Sequence, residues 1–395
     1  MNNLAITKNK YQGKFMKILH IISGLSIGGA ETMLFKLLSL TNRTLFNPLV
    51  ISLTDEGKLG QNIKNLDITV YKMNMNTGIP NPVKVVRFIR LIRKVNPALI
   101  QGWMYHGNLA ALLAKKLLPK RVSLLWNIRH TPDDLKKEKH LTEMMIRLGA
   151  RLSYIPDGII YNAGVSAQKH KELGYSDKQE NIIPNGFNCE QFKPENGAHL
   201  QLCRSLNIEE DAFLVGLIAR YHKMKDHESF LYSARELLKI YPKVNFVLAG
   251  SSIDKKKQKL VKQINDLKIN KNVHLLGELR NMNEITAGLD IACSSSAWGE
   301  GFSNSIGEAM SCGVPCVVTD VGDSAWLVGK TGLSVKPGDR KALTNAMITL
   351  IKMKPEERQE LGGLARQRIV EYFSLDTVVK KYEQLYLKHL SMTKH

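Results

Sequence analysis

The chain has 395 residues, 44% of them hydrophobic, and a formal net charge of +20. A single hydrophobic core rarely grows beyond about 250–300 residues, so two domains are expected. No apolar run approaches the roughly 20 residues that cross a bilayer, and five scattered cysteines exclude a disulfide framework.

The charge is uneven: residues 1–190 carry 27 Lys+Arg against 13 Asp+Glu, and residues 191–395 carry 29 against 23. A basic half fits an anionic partner, or a lysine-rich solvated surface with no partner. No recognised nucleic-acid motif appears and aromatics make up 7% of the chain, so no specific nucleic acid is expected. Residues 1–15 lack the apolar core and cleavage site of a signal peptide and read as a disordered extension. Cys312 and Cys316 have no histidine pair beside them, so they read as reduced core thiols rather than metal ligands.

A first strand is expected at 16–22, then Ser23-Gly24-Leu25-Ser26-Ile27-Gly28-Gly29-Ala30-Glu31 leading into a helical pattern at 32–40. Strand, glycine loop and helix open a Rossmann-like unit, but the spacing is not the G-x-G-x-x-G dinucleotide fingerprint. Gly28 and Gly29 either let a ligand anion approach a helix N-terminus or make a tight turn. Strand-like runs recur at 49–53, 68–71, 98–101, 123–127 and 158–162, with helical patterns between most of them, which implies a parallel sheet. Residues 82–95 form an amphipathic helix with Arg87, Arg90 and Lys94 on one face. That helix, residues 144–155 and the basic clusters at 115–116, 120–121 and 136–139 either decorate the sheet or lie on an anionic membrane.

His106 and His130 follow the strands at 98–101 and 123–127, in loops on the edge of the sheet where ligands bind. Residues 182–188 read as a strand followed by turn signals, and the polar stretch 193–202 as an interdomain connection. A second alternating series occupies 213–219, 244–249, 273–276, 289–293, 314–319 and 333–335. Helices at 340–353, 355–372 and 375–390 close the chain.

The stretch Trp298-Gly299-Glu300-Gly301-Phe302-Ser303-Asn304-Ser305-Ile306-Gly307-Glu308 lies between the strands 289–293 and 314–319. Arg220 and Lys225 emerge after the strand 213–219, close to where this loop belongs in a doubly wound sheet. Two such cations suit a diphosphate, Arg as a fork and Lys as a point charge. N–H groups at the helix start after Ser303 would add donors, and one carboxylate could accept a pair of sugar hydroxyls.

These residues resemble the retaining glycosyltransferases of the GT-B fold, family 4. Glu300 and Glu308 match the E-x7-E signature, Arg220 and Lys225 the phosphate clamp, Ile183-Pro184-Asn185-Gly186 the segment entering the linker, and Gly28-Gly29-Ala30-Glu31 the N-terminal loop. The wording around Trp103–His106 and Ile218–His222 is similar to members that build bacterial surface polysaccharide such as O-antigen. The resemblance implies two Rossmann-like doubly wound parallel-sheet α/β domains facing across a cleft: 16–190 on the acceptor side and 191–375 on the donor side. It also implies a C-terminal helix at 376–395 that crosses back.

Carried over by residue, Glu308 would hold the ribose and Glu300 the donor sugar. Gly301, Phe302, Ser303, Asn304 and Ser305 would line the sugar and phosphates, and Arg220 and Lys225 would stabilise the departing diphosphate. His106 would contact the sugar or acceptor. Gly28, Gly29, His130, Gly250 and Leu279 complete the donor-binding set. No cofactor or metal is expected, since no D-x-D motif stands at a strand end.

The implied activity is transfer of a sugar from a nucleotide-diphosphate donor, UDP-linked, to a lipid-linked or oligosaccharide acceptor at the cytoplasmic face of a membrane, with peripheral contact to anionic lipid. A nucleotide-sugar epimerase of the same fold is the alternative reaction. Ser305-Ile306-Gly307-Glu308 also reads as a capping box, which would make Glu308 structural.

Overall fold

A computed structural model describes residues 15–75, 81–119, 121–132, 135, 138–279 and 281–392. The expected extension, apart from Phe15, and parts of the basic clusters at 120–121 and 136–139 lie outside the described residues. The chain divides into two units, one of residues 1–186 and 378–395 and the other Phe187–Thr377.

The first unit is built on a parallel sheet of β1 (Met16–Ile22), β2 (Phe46–Ser52), β3 (Val70–Lys72), β4 (Leu99–Trp103), β5 (Ser123–Ile128), β6 (Gly158–Tyr161) and β7 (Glu180–Ile182). Their spatial order is β3-β2-β1-β4-β5-β6-β7. Every residue of β4, β5 and β6 is buried, which is why they read as apolar runs rather than alternating ones: helices cover both faces. The helix Pro82–Val95 starts where Asn81 Oδ1 accepts from Val83 N at 2.9 Å, with proline in its first turn. It buries Phe88, Ile92 and Val95 and leaves Arg87, Arg90 and Lys94 exposed. The strand order reverses between β1 and β4, so the segments leaving their carboxyl ends flank a crevice.

The second unit has β8 (Phe213–Ile218), β9 (Val244–Ala249), β10 (Val273–Leu275), β11 (Ile291–Ser294), β12 (Cys316–Thr319) and β13 (Gly332–Val335), ordered β10-β9-β8-β11-β12-β13. All its pairings are parallel. Phe187, Phe302, Ile306, Met310 and Phe373 pack in one apolar layer, and Phe230, Leu237, Phe246 and Met347 in another. Here the reversal falls between β8 and β11. The stretch 193–202, expected to connect two domains, lies inside this unit. Its end joins the helix Ala198–Leu206, whose Leu202 is buried, because an apolar residue at helical spacing outweighed the polar composition around it.

The unit begins and ends at one place. Phe187 and Ser374 form a parallel bridge in which Phe187 N donates to Phe373 O at 2.9 Å and Leu375 N donates to Phe187 O at 2.8 Å. The helix Leu375–Met392 follows; from Val378 on it belongs to the first unit, where Tyr382 and Tyr386 are buried. Four of the five free cysteines are buried. Among the described residues no helix is long and apolar enough to cross a membrane.

Candidate functional site

In the second unit, Ala219 N donates to Ala249 O at 2.9 Å, continuing the β8–β9 ladder, and Arg220 emerges exposed at the strand's carboxyl end. Gly250 sets that exit. Its φ is +139°, and a Cβ there would lie 2.4 Å from Ala219 O and 3.0 Å from Arg220 N. Only glycine lets the end of β9 lie so close to this backbone.

A 3-10 turn, Lys223–Lys225, follows, and Asp226 then caps the helix His227–Leu238 by accepting from Ser229 N at 3.1 Å. The segment leaving β11 is stitched to the turn. Ser295 Oγ donates to Lys225 O at 2.8 Å and Ala297 N donates to Met224 O at 2.8 Å. At the end of β12, Thr319 Oγ1 donates to Ser296 O at 2.6 Å. These bonds bring Lys225 and Glu300 into an ion pair. Ser296 Oγ donates to the same carboxylate oxygen at 3.0 Å. The two side chains are only 17% and 11% exposed, so water screens the pair weakly. Arg220, by contrast, has no ion-pair partner among the described residues.

Beyond Glu300 the loop is fixed from two sides. Phe302 is buried between Phe187, Phe373 and Trp326, with ring centroids 6.0, 5.7 and 6.0 Å away. Gly322, at φ +63°, presses on the Glu300–Gly301 backbone, and Asp323 N donates to Gly301 O at 2.9 Å. The helix Asn304–Ser311 then begins with Ser303 as N-cap. Ser303 makes no side-chain cap, and its buried Oγ has no hydrogen-bond partner among the described residues. A helix N-terminus presents N–H donors and a positive dipole end, so this edge suits an anion.

The capping-box alternative for Glu308 is corrected by the helix boundary. With Ser303 as N-cap, Ser305 is the second helical residue and Ile306 holds the position a capping glutamate would need. Glu308 lies one turn further on, half-buried, while Asn304 is exposed, Ser305 half-buried, and Leu279 packs on the same apolar cluster as Phe302.

In the first unit, Gly28 is the N-cap of the helix Gly29–Leu40 at φ −156°, so its backbone does not demand glycine. A Cβ there would meet the Glu31 carboxylate, whereas Gly29 has open space around it. His106 is not on a loop. β4 runs directly into the helix Met104–Lys116, whose first residue takes a strained φ of +61°, and His106 sits in its first turn. Partial burial holds its imidazole below the ordinary value.

His130 does lie on the segment after β5, but its ring is engaged. Tyr105 Oη lies 3.1 Å from His130 Nδ1 and 3.0 Å from His170 Nε2, and His170 Nδ1 donates to Ser166 O at 2.7 Å. Burial pushes His170 down to about 4, so it is neutral at pH 7 and its Nε2 accepts from Tyr105. With the Tyr105 proton spent, His130 Nδ1 donates to Tyr105 Oη. Its other nitrogen faces Glu138 Oε1 at 3.3 Å.

The structure therefore brings Arg220, Lys225, Gly250 and the Glu300–Ser303 loop together at the carboxyl edge of one sheet. It sets Gly28, Gly29, His106 and His130 at the carboxyl edge of the other. Ser295, Ser296, Thr319 and Gly322 are absent from the sequence-derived set, although the run Ser294-Ser295-Ser296 at the end of an apolar strand signals the first two. Arg129 is absent too. Its Nη1 donates to Tyr382 Oη at 2.9 Å and to Asn127 Oδ1 at 3.5 Å, and its Nη2 donates to Asn185 Oδ1. Among the described residues no group of three or more His, Cys, Asp or Glu side chains could hold a metal ion.

Residues 212–353 match the family model for glycosyl transferases group 1. The lipopolysaccharide core biosynthesis mannosyltransferase LpsB of Rhizobium meliloti is 24% identical over 306 residues, covering 74% of this chain and 82% of that protein. A Campylobacter jejuni N,N'-diacetylbacillosaminyl-diphospho-undecaprenol alpha-1,3-N-acetylgalactosaminyltransferase is 24% identical over 350 residues, covering 85% and 90%. Among solved structures, Anabaena HepE in complex with UDP superposes with a TM-score of 0.82 at 21% identity, over 94% of this chain and 99% of that one.

Proposed function

Because residues 212–353 match the family model for glycosyl transferases group 1, we propose that the chain is a retaining member of that family acting in bacterial surface-polysaccharide synthesis. It takes a sugar from a nucleotide-diphosphate donor, UDP-linked, and delivers it to a lipid-linked or oligosaccharide acceptor. The observation that carries this reading is the cluster after β8 and β11: exposed Arg220, the Lys225–Glu300 pair and a helix N-terminus at one switch-point edge. Relatives named for lipopolysaccharide and diphospho-undecaprenol chemistry support the acceptor class, and a UDP complex of the same fold supports the nucleotide.

In this reading Arg220 and Lys225 bind the diphosphate and stabilise its charge as it leaves, Glu300 holds the donor sugar and Glu308 the ribose. His106 contacts sugar or acceptor, no protein nucleophile is assigned, and no metal is required. The epimerase alternative is set aside, because the relatives are named as transferases. Incubation with a panel of nucleotide sugars and acceptors tests the proposal. Transfer or slow donor hydrolysis with a UDP-sugar is expected. The absence of both, with no nucleotide-dependent thermal shift, would overturn it.

Peripheral contact with an anionic membrane belongs to the same reading. The helix His140–Leu152 exposes Leu141, Met144 and Leu148 at 39, 47 and 39%, beside Arg147 and Arg151. An apolar strip flanked by arginines fits an anionic bilayer surface. Co-sedimentation with phosphatidylglycerol vesicles but not phosphatidylcholine vesicles is expected; equal partitioning to both would remove the charge argument.

A further inference from the structure

We propose that Arg129 is a binding site for a phosphate group carried by the acceptor, an assignment that rests on the transferase reading above. Every partner of this guanidinium among the described residues is neutral: Tyr382 Oη, Asn127 Oδ1 and Asn185 Oδ1. Among the described residues no carboxylate lies within ion-pair distance of it. Its Nε is shielded from solvent and has no hydrogen-bond partner there. Removing a guanidinium from water without a counter-charge is costly, and an anionic ligand would supply the missing one.

The unused donors have a shape. Nη1 spends its two protons on Tyr382 and Asn127, and Nη2 spends one on Asn185. Nε–H and one Nη2 proton remain, and the Nε–Nη2 edge of a planar guanidinium has the spacing of two phosphate oxygens. The placement agrees. Arg129 is the first residue beyond β5, at the carboxyl edge of the sheet. Its N–H donates to Met104 Sδ at 3.4 Å, at the start of the helix that carries His106. Lys36 Nζ donates to Gly186 O at 3.4 Å, so a second cation reaches the residue next to Asn185.

A purely structural Arg129, pinning the segments of Asn185 and Tyr382, is the competing account. Asn185→Asp separates the two. It is isosteric, keeps the pin, and supplies an internal counter-charge. The full chain is titrated with inorganic pyrophosphate, with UDP present to occupy Arg220 and Lys225. Wild type should bind it, and Asn185→Asp should keep its fold while losing about 10-fold or more in affinity. KM for a prenyl-diphosphate-linked sugar should rise to match, with KM for the donor and for a neutral oligosaccharide unchanged. Arg129→Lys keeps the charge without the fork and should show the same selective loss, whatever the folding of the first variant. Unchanged pyrophosphate binding in both variants would overturn the site. If wild type turns over no nucleotide sugar at all, the transferase reading fails, and the pyrophosphate comparison still judges Arg129.

Discussion

Lys225 and Glu300 neutralise each other across the carboxyl ends of β8 and β11, with Ser296 Oγ donating to the same carboxylate oxygen at 3.0 Å. Removing one partner leaves the other charge largely buried. Lys225→Met should therefore cost about 3 kcal/mol in urea unfolding, and the double variant Lys225→Met/Glu300→Gln should recover part of that loss while remaining inactive. Equal stability of the single variant and wild type would show that the pair carries no net weight.

Arg220 gives the opposite expectation. It is exposed and has no ion-pair partner among the described residues, so Arg220→Ala should leave stability within about 0.5 kcal/mol of wild type. Nucleotide-diphosphate affinity should fall by about 10-fold or more, read by titration with UDP. A stability loss without an affinity loss would remove Arg220 from the site.

Gly250 is the backbone device beneath Arg220. At φ +139°, with Ala219 O only 2.4 Å from the point a Cβ would occupy, Gly250→Ala has to move one strand end or the other. A destabilisation of about 2 kcal/mol or more is expected, with weaker UDP binding because Arg220 moves too. Melting temperature and UDP titration on one sample check both halves.

Glu308 should behave as a ligand contact and not as a cap. Because Ser303 begins the helix and Ile306 fills the third position, Glu308→Gln should hardly change the melting temperature and should raise the donor KM or abolish turnover. Wild-type donor KM in this variant would return Glu308 to a structural role.

Three buried histidines set the acid limb of stability. Burial pushes His20 down to about 3, and His170 and His227 to about 4, against 6.5 in the unfolded chain. The unfolded state therefore binds more protons below pH 6.5. Their contribution is complete above that pH and is lost progressively as the pH falls towards 4. Between pH 6.5 and 5 each should cost about 2 kcal/mol. Urea midpoints measured from pH 7 to pH 5 should fall, and His170→Gln should flatten the slope for the first unit.

The sheets were legible because parallel strands buried on both faces appear as apolar runs, and their alternation with helical periods leaves few topologies. The strand order also explains why Arg220 and the Glu300 loop were placed together: the segments leaving β8 and β11 must meet at the reversal. Pairing within that meeting was not legible, since no local signal links Lys225 to a residue 75 positions away. The boundary at His106 was missed because Met104 takes a left-handed conformation with no glycine or asparagine to announce it. The false capping box arose from Ser303-Asn304-Ser305, three successive residues that can all cap a helix. Arg129 left only a faint trace: Asn127 and Arg129, polar residues two apart at the end of an apolar strand.

The bridge between Phe187 and Ser374 has a consequence for engineering. A segment of nearly two hundred residues starts and stops on two backbone hydrogen bonds, from Phe187 N to Phe373 O and from Leu375 N to Phe187 O. Its ends are stapled to each other by its own atoms, and Phe187 and Phe373 are buried in its own apolar layer. That is the layout of an insertable cassette. Residues 187–377 should therefore tolerate circular permutation, or exchange for the matching piece of a relative, with the new joints placed beside this bridge.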